Sequence, residues 1–178
     1  MPVWFARSVV VVFAGALGII GTVGSLAAPV AEGGRGSGGA KVDSEECRLL
    51  ADVNKFRRKN GLKPLDLDRD LIKAADHHSQ DMAKHDYVAH TLRDGTSWSE
   101  NIRDFGYKEN PTGENIFAGS AKAGTAFKWW ENSAGHRRAM LNRDFEAIGI
   151  GRASDPKSEY GWYWTTTFGG SVENKVKC

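Results

Sequence analysis

The chain reads as an α+β domain, with its helices first and a strand pair last. From Asp43 to Leu141, apolar residues recur at helical spacing in several capped runs,. Beyond them the pattern changes. Ala147–Ala153 (AIGIGRA) alternates Ile with Gly, and Trp162–Phe168 (WYWTTTF) is aromatic and β-branched, a strong strand signal,. Asp155-Pro156 and Gly161 bracket the loop between these two runs, which predicts an antiparallel hairpin,. Helices followed by strands indicate α+β rather than a parallel βαβ array.

The N-terminus stands outside that domain. Arg7 is the only charge among the first 31 residues, Ser8–Leu26 is apolar or small, and Ser25-Leu26-Ala27 ends in the small-x-small pattern that signal peptidase accepts. Residues 1–27 therefore read as a secretory signal peptide, giving a secreted, extracellular chain with no stable membrane span once it is removed. The alternative is a retained anchor, because the run has about the 20 residues a bilayer requires. Residues 28–42 are Gly-rich with almost no bulky apolar group and read as a flexible linker,. The domain is expected at 43–172, followed by a short tail at 173–178.

Loss of the signal takes Arg7 from the 24 basic residues and leaves 23 against 22 acidic ones. A near-neutral protein carries no electrostatic footprint for nucleic acid. A domain of roughly 130 residues buries enough surface to hold a core. It is expected to act as a monomer.

Asp43 and Glu46 form an N-terminal cap for a first helix carrying Leu49, Val53 and Phe56, stopped by Asn60-Gly61,. The basic cluster Lys55, Arg57, Arg58 and Lys59 at its end reads as a solvated helix terminus that suits the dipole,. A second helix is expected from Asp68 to Lys84, with a stripe of Leu71, Ala74, Ala75, His78 and Met82,. A third, short one spans Ser97–Phe105, with Gly106 as its stop. Thr125–Trp130 forms a further helix, and Ser133 caps another that runs through Leu141. Cys47 and Cys178 are an even pair in an oxidising compartment and suggest a disulfide; unpaired thiols or a bridge to another chain are the alternatives,.

The candidate chemistry gathers around residues 113–142. His136 falls in the first turn of its helix, where the dipole disfavours a protonated ring, and a neutral imidazole is what a metal needs. His90 lies in a loop after the second helix. Glu114 stands between Gly113 and a strand-like NIF segment, and Glu131 follows two tryptophans. His77 and His85 read as exposed helix residues, and His78 as a core histidine with satisfied partners. No G-x-S-x-G elbow is present, and Ser133, if it caps its helix, has its oxygen committed to backbone amides. No H-E-x-x-H, P-loop or dinucleotide fingerprint occurs,.

These motifs resemble the CAP superfamily, the cysteine-rich secretory, antigen 5 and pathogenesis-related 1 proteins with SCP-like extracellular domains. The resemblance runs in order through Asn54 and Arg57, Gly61–Leu65, Leu71, Ala74-Ala75, Ser79, His90, Gly113-Glu114-Asn115-Ile116, Trp130, Ser133-x-Gly135-His136-Arg137, Met140-Leu141, Ile148–Gly151 and Tyr163–Thr165. It covers about residues 45–170 and has the look of the minimal microbial form. It implies a three-layer α-β-α sandwich with a central, mostly antiparallel sheet. It also implies a cavity carrying His90, His136, Glu114 and a second acid, Glu131, with His90 and His136 as ligands for a divalent metal, zinc first among them. Glu131 directly follows Trp130, a departure from the W-x-x-E spacing of relatives with a longer segment, and Ala134 stands where S-P-G-H-R members have proline.

The function this implies is a non-catalytic binding module that holds a metal and a lipid, sterol or other small molecule. A metal- or carboxylate-assisted hydrolase of wall or peptide material is the alternative. A purely structural or interaction module is a third.

Overall fold

The computed structural model describes residues 41–178. The proposed signal peptide and all but the end of the linker lie outside the described residues. Five helices and five strands follow in the order α1 (Ser44–Lys59), β1 (Asp66–Asp68), α2 (Arg69–His85), α3 (Trp98–Asp104), β2 (Thr112–Ala118), α4 (Ala123–Asn132), α5 (Ala134–Met140), β3 (Ala147–Ser154), β4 (Trp162–Gly169) and β5 (Lys175–Val176). The strands form one sheet in the order β2-β4-β3-β1-β5, antiparallel except where β1 runs parallel to β3.

Alternation along the strands assigns each helix to a side. On β3 and β4, Ile148, Ile150, Trp164 and Phe168 meet Leu49 and Val53 of α1, Ala126 and Trp130 of α4, and Met140 of α5 in one buried cluster. The intervening positions turn to α2. Ser79 donates through Oγ to the Gly151 carbonyl at 3.0 Å and its oxygen lies 3.0 Å from the Thr165 hydroxyl, while Thr167 Oγ1 donates to the Leu71 carbonyl at 2.9 Å,. Two helix layers thus enclose the sheet, the architecture the resemblance implies. Gly149 and Gly151 let α2 approach closely, since a Cβ on Gly149 would overlap the Leu71 backbone,.

The helix ends follow their local chemistry. Asp43 accepts from the amides of Glu45 and Glu46 while Glu46 reaches back to the Asp43 amide, a complete capping box,. Gly61 (φ +72°) and Gly106 (φ +103°) take the left-handed conformation after α1 and α3,. The Cys47–Cys178 bridge forms across a separation of 131 residues, worth on the order of 4–5 kcal/mol by loop-closure entropy.

Three expectations change. Residues 173–178 are not a tail outside the domain. β5 pairs with β1, Asp68 accepts from the amides of Glu173 and Asn174, and Cys178 is tied to α1. Nor is Arg57 a solvated helix-end cation. It is 1% exposed and donates to the carbonyls of Lys63, Met140, Asn142 and Phe145. A guanidinium carries five donors in a plane and can satisfy several converging loop carbonyls at once. Ser133 stands at the N-cap position of α5 but makes no side-chain cap bond.

Candidate functional site

β2 is an edge strand, and the site straddles that edge. Glu114 projects from β2 toward α2, where it meets His78. Asn115, the next residue, turns to the other face and donates through Nδ2 to the carbonyl of His136 at 3.1 Å, fixing the first turn of α5 against the strand. Gly113 leaves room beside them for the Phe145 ring, which a Cβ there would meet at 2.9 Å and displace. His90 comes from the loop between α2 and α3. Asp86 leaves α2 in the left-handed conformation (φ 53°), and the His90 carbonyl accepts from the Trp98 amide at 3.1 Å.

Glu114 is the hub. Its side chain is 1% exposed. Oε1 lies 2.8 Å from His90 Nδ1, and Oε2 lies 2.6 Å from Nδ1 of His78, which is itself fully buried. The side chain of His90 is 50% exposed. Its hydrogen bond to Glu114 raises its pKa, against the opposing effect of burial,. His136 uses Nδ1 on Ser133 Oγ at 2.8 Å, and its ring packs 4.7 Å from that of Trp129. Burial, and then the nearby charge of His90, lower its pKa.

The structure joins His90 to Glu114 directly, and it ties the first turn of α5, which carries His136, to the same strand through the Asn115 bond to the His136 carbonyl. Glu131 is not with them. Gly124, Phe127, Lys128 and Glu131 recur at helical spacing on the α4 face toward α1, where they line a groove of about 270 Å³ with Phe56, Asp52, Lys55 and Lys59,. Trp130, one residue earlier, is fully buried and donates through Nε1 to the Ile116 carbonyl, so its neighbour is rotated off the core,. His77 and His85 are exposed as expected, although His77 bonds Asn101 Oδ1 at 2.7 Å. His78 is a satisfied core histidine, yet its partners place it in the site. The Ser133 oxygen, expected on backbone amides, serves the His136 ring instead.

The donor set fits a metal in one particular way. Both candidate ligands spend Nδ1 on a protein partner and retain Nε2, the pattern by which a neighbouring acceptor orients a metal-binding imidazole. Among the described residues no group of three or more His, Cys, Asp or Glu side chains is arranged to hold an ion. Beside Glu114 opens a cleft of about 580 Å³, with Trp98, Gly113, Arg138, Arg143 and Phe145 among its walls.

Comparison with known proteins bears on the whole domain. A family model described as the cysteine-rich secretory protein family, CAP, matches residues 50–168. The chain is 36% identical over 129 residues to the uncharacterized protein YkwD of Bacillus subtilis (strain 168), a match covering 72% of this chain and 48% of that one. The chain thus spans about half the length of that relative. Among solved structures, an extracellular protein with an SCP domain from Bacillus anthracis is similar at 26% identity and a TM-score of 0.62, over 70% of this chain and 39% of that one. An outer surface protein of Borrelia burgdorferi is similar at 25% identity and a TM-score of 0.63, over 78% of this chain and 99% of its own. No helix among the described residues is long and apolar enough to cross a membrane.

Proposed function

This chain belongs to the CAP family, the cysteine-rich secretory proteins, and from that premise we propose that it is an exported, non-catalytic binding module whose His90–His136 pair holds a divalent metal, zinc first among them. The observation that carries this reading is that both rings have Nδ1 engaged and Nε2 left over. When bound, such an ion would polarise an oxygen of the molecule in the adjoining cleft. The hydrolase reading has less to rest on. Both oxygens of Glu114 are already bonded to histidines and its side chain is 1% exposed, a poor position for a general base that must reach a substrate,. Export is in keeping with the extracellular and outer-surface descriptions of the similar structures.

A small-molecule site is supported separately by the groove between α1 and α4. Phe56 and Phe127, edge to face at 5.8 Å, line it with three cations, Lys55, Lys59 and Lys128, against two acids, Asp52 and Glu131. An alkyl chain on the two rings with a carboxylate among the lysines would satisfy both surfaces.

Calorimetric titration with zinc tests the metal reading. Wild type is expected to bind one ion, and His90→Ala and His136→Ala each to weaken it at least tenfold. The reading fails if the wild type takes up no zinc, or if both variants bind it like the wild type.

A further inference from the structure

We infer that His78 is the positioning residue of this site, holding from the buried face of α2 both the side chain and the backbone that present His90. The inference rests on the proposed role of His90 and adds a residue to it. Two contacts carry it. His78 Nε2 lies 3.0 Å from the carbonyl oxygen of Ala89, the residue immediately before His90, and its Nδ1 lies 2.6 Å from Glu114 Oε2. One ring thus clamps the loop that carries His90 and the carboxylate on which the His90 ring rests.

The contacts also fix where the protons sit. A carbonyl only accepts, so Nε2 of His78 carries hydrogen and donates to Ala89. The same ring meets Glu114 at Nδ1, and a contact of 2.6 Å there requires one proton between nitrogen and oxygen, whichever atom carries it,. The buried His78–Glu114 pair is electrically neutral either way. Oε1 is left as an acceptor, and His90 donates Nδ1–H to it at 2.8 Å. The converse, Oε1–H donating to His90, would leave His78 doubly protonated at 0% exposure with no counter-charge,. His90 is therefore held in the Nδ1–H tautomer, with the Nε2 lone pair facing away from Glu114. Among the described residues no other side chain of α2 hydrogen-bonds the Glu114 carboxylate or the Ala89 carbonyl.

The test pairs zinc titration with ¹⁵N NMR of the histidine rings, on wild type, His78→Asn and His78→Gln. Either amide can replace only one of the two ring contacts. In wild type the neutral His90 ring is expected to carry its proton on Nδ1. Folded variants are expected to bind zinc tenfold or more weakly, with His90 present as a mixture of tautomers. Should the single variants not fold, His78→Phe combined with Glu114→Gln removes the ring contacts and the buried charge together, and is expected to bind zinc more weakly than Glu114→Gln alone. The inference is overturned if wild-type His90 carries its proton on Nε2, or if a folded His78 variant keeps both the zinc affinity and the tautomer of the wild type. A wild type that takes up no zinc defeats the metal reading instead, and the tautomer comparison then decides the role of His78 alone.

Discussion

Arg57 shows how one side chain can join parts of a domain. Its guanidinium donates to Lys63, in the loop after α1, to Met140, the last residue of α5, and to Asn142 and Phe145, between α5 and β3. The bonds to Met140 and Phe145 are buried, and without the fork those two carbonyls would be left unpaired away from water,. Lysine has a point charge and no plane, so Arg57→Lys is expected to cost about 3 kcal/mol in urea unfolding; a loss under 1 kcal/mol would show that water replaces the fork. By charge and helical spacing alone Arg57 is indistinguishable from its exposed neighbours Lys55, Arg58 and Lys59, although the resemblance passes through it. Its acceptors are separated from it by as many as 88 positions, and helical periodicity carries no record of them. The histidines divide in the same way. GENI and S-x-G-H-R made Glu114 and His136 visible as site residues. The place of His78 was legible only as burial, because its partners Ala89 and Glu114 belong to a loop and a strand that are not adjacent to it in sequence. A rule that both nitrogens of a buried imidazole need partners would have raised the question without naming them.

Elements with strong local signals appear within a residue or two of their expected ends. α1 has its capping box, α3 its Ser97–Glu100 box and its Gly106 stop, and β3 and β4 their β-branched, aromatic and Ile-Gly alternation. β1 and β5 carry no strand signal of their own in the sequence. They are three and two residues long and exist because β3 and β1 offer them edges. The glycines of β3 carry a further element-scale consequence. α2 lies so close over the strand that a methyl group at Gly149 would overlap the backbone of Leu71 and Ile72 rather than a side chain that could swing aside. Gly149→Ala is therefore expected to cost about 3 kcal/mol or more. Gly124→Ala, a control with nothing within 4 Å of the added carbon, should be neutral or mildly stabilising by helix propensity,. Equal melting temperatures for the two variants would mean that α2 can shift outward without loss.

At the scale of the whole molecule, the two helix layers meet at a charged junction beside the end of β3. Glu46 of α1 accepts from the amides of Asp43 and Arg152, while Asp43 accepts from the Arg152 guanidinium at 2.7 Å. Asp76 of α2 shares this surround. Burial is the main cause that pushes both Glu46 and Asp76 up to about 7; for Asp76 the charges of Glu46 and Asp43 push the same way. Their ordinary values are 4.5 and 3.8, so between about pH 4 and 7 the folded state holds protons that the unfolded chain has released. The stability they contribute is fully present below that window and is lost as pH rises through 7. His90, raised from 6.5, acts in the same direction above 6.5; His136, lowered from 6.5, opposes them, but only in a window below 6.5. The melting temperature is therefore expected to fall between pH 5 and pH 8. Asp76→Asn keeps the shape beside Gly151 and removes one charge from the junction. It should raise the melting temperature only slightly at pH 5, where the loss has begun, and by roughly 2–5 °C more at pH 8,. Parallel pH profiles for wild type and variant would show that Asp76 stays ionised in the folded domain and that its neighbours absorb the charge.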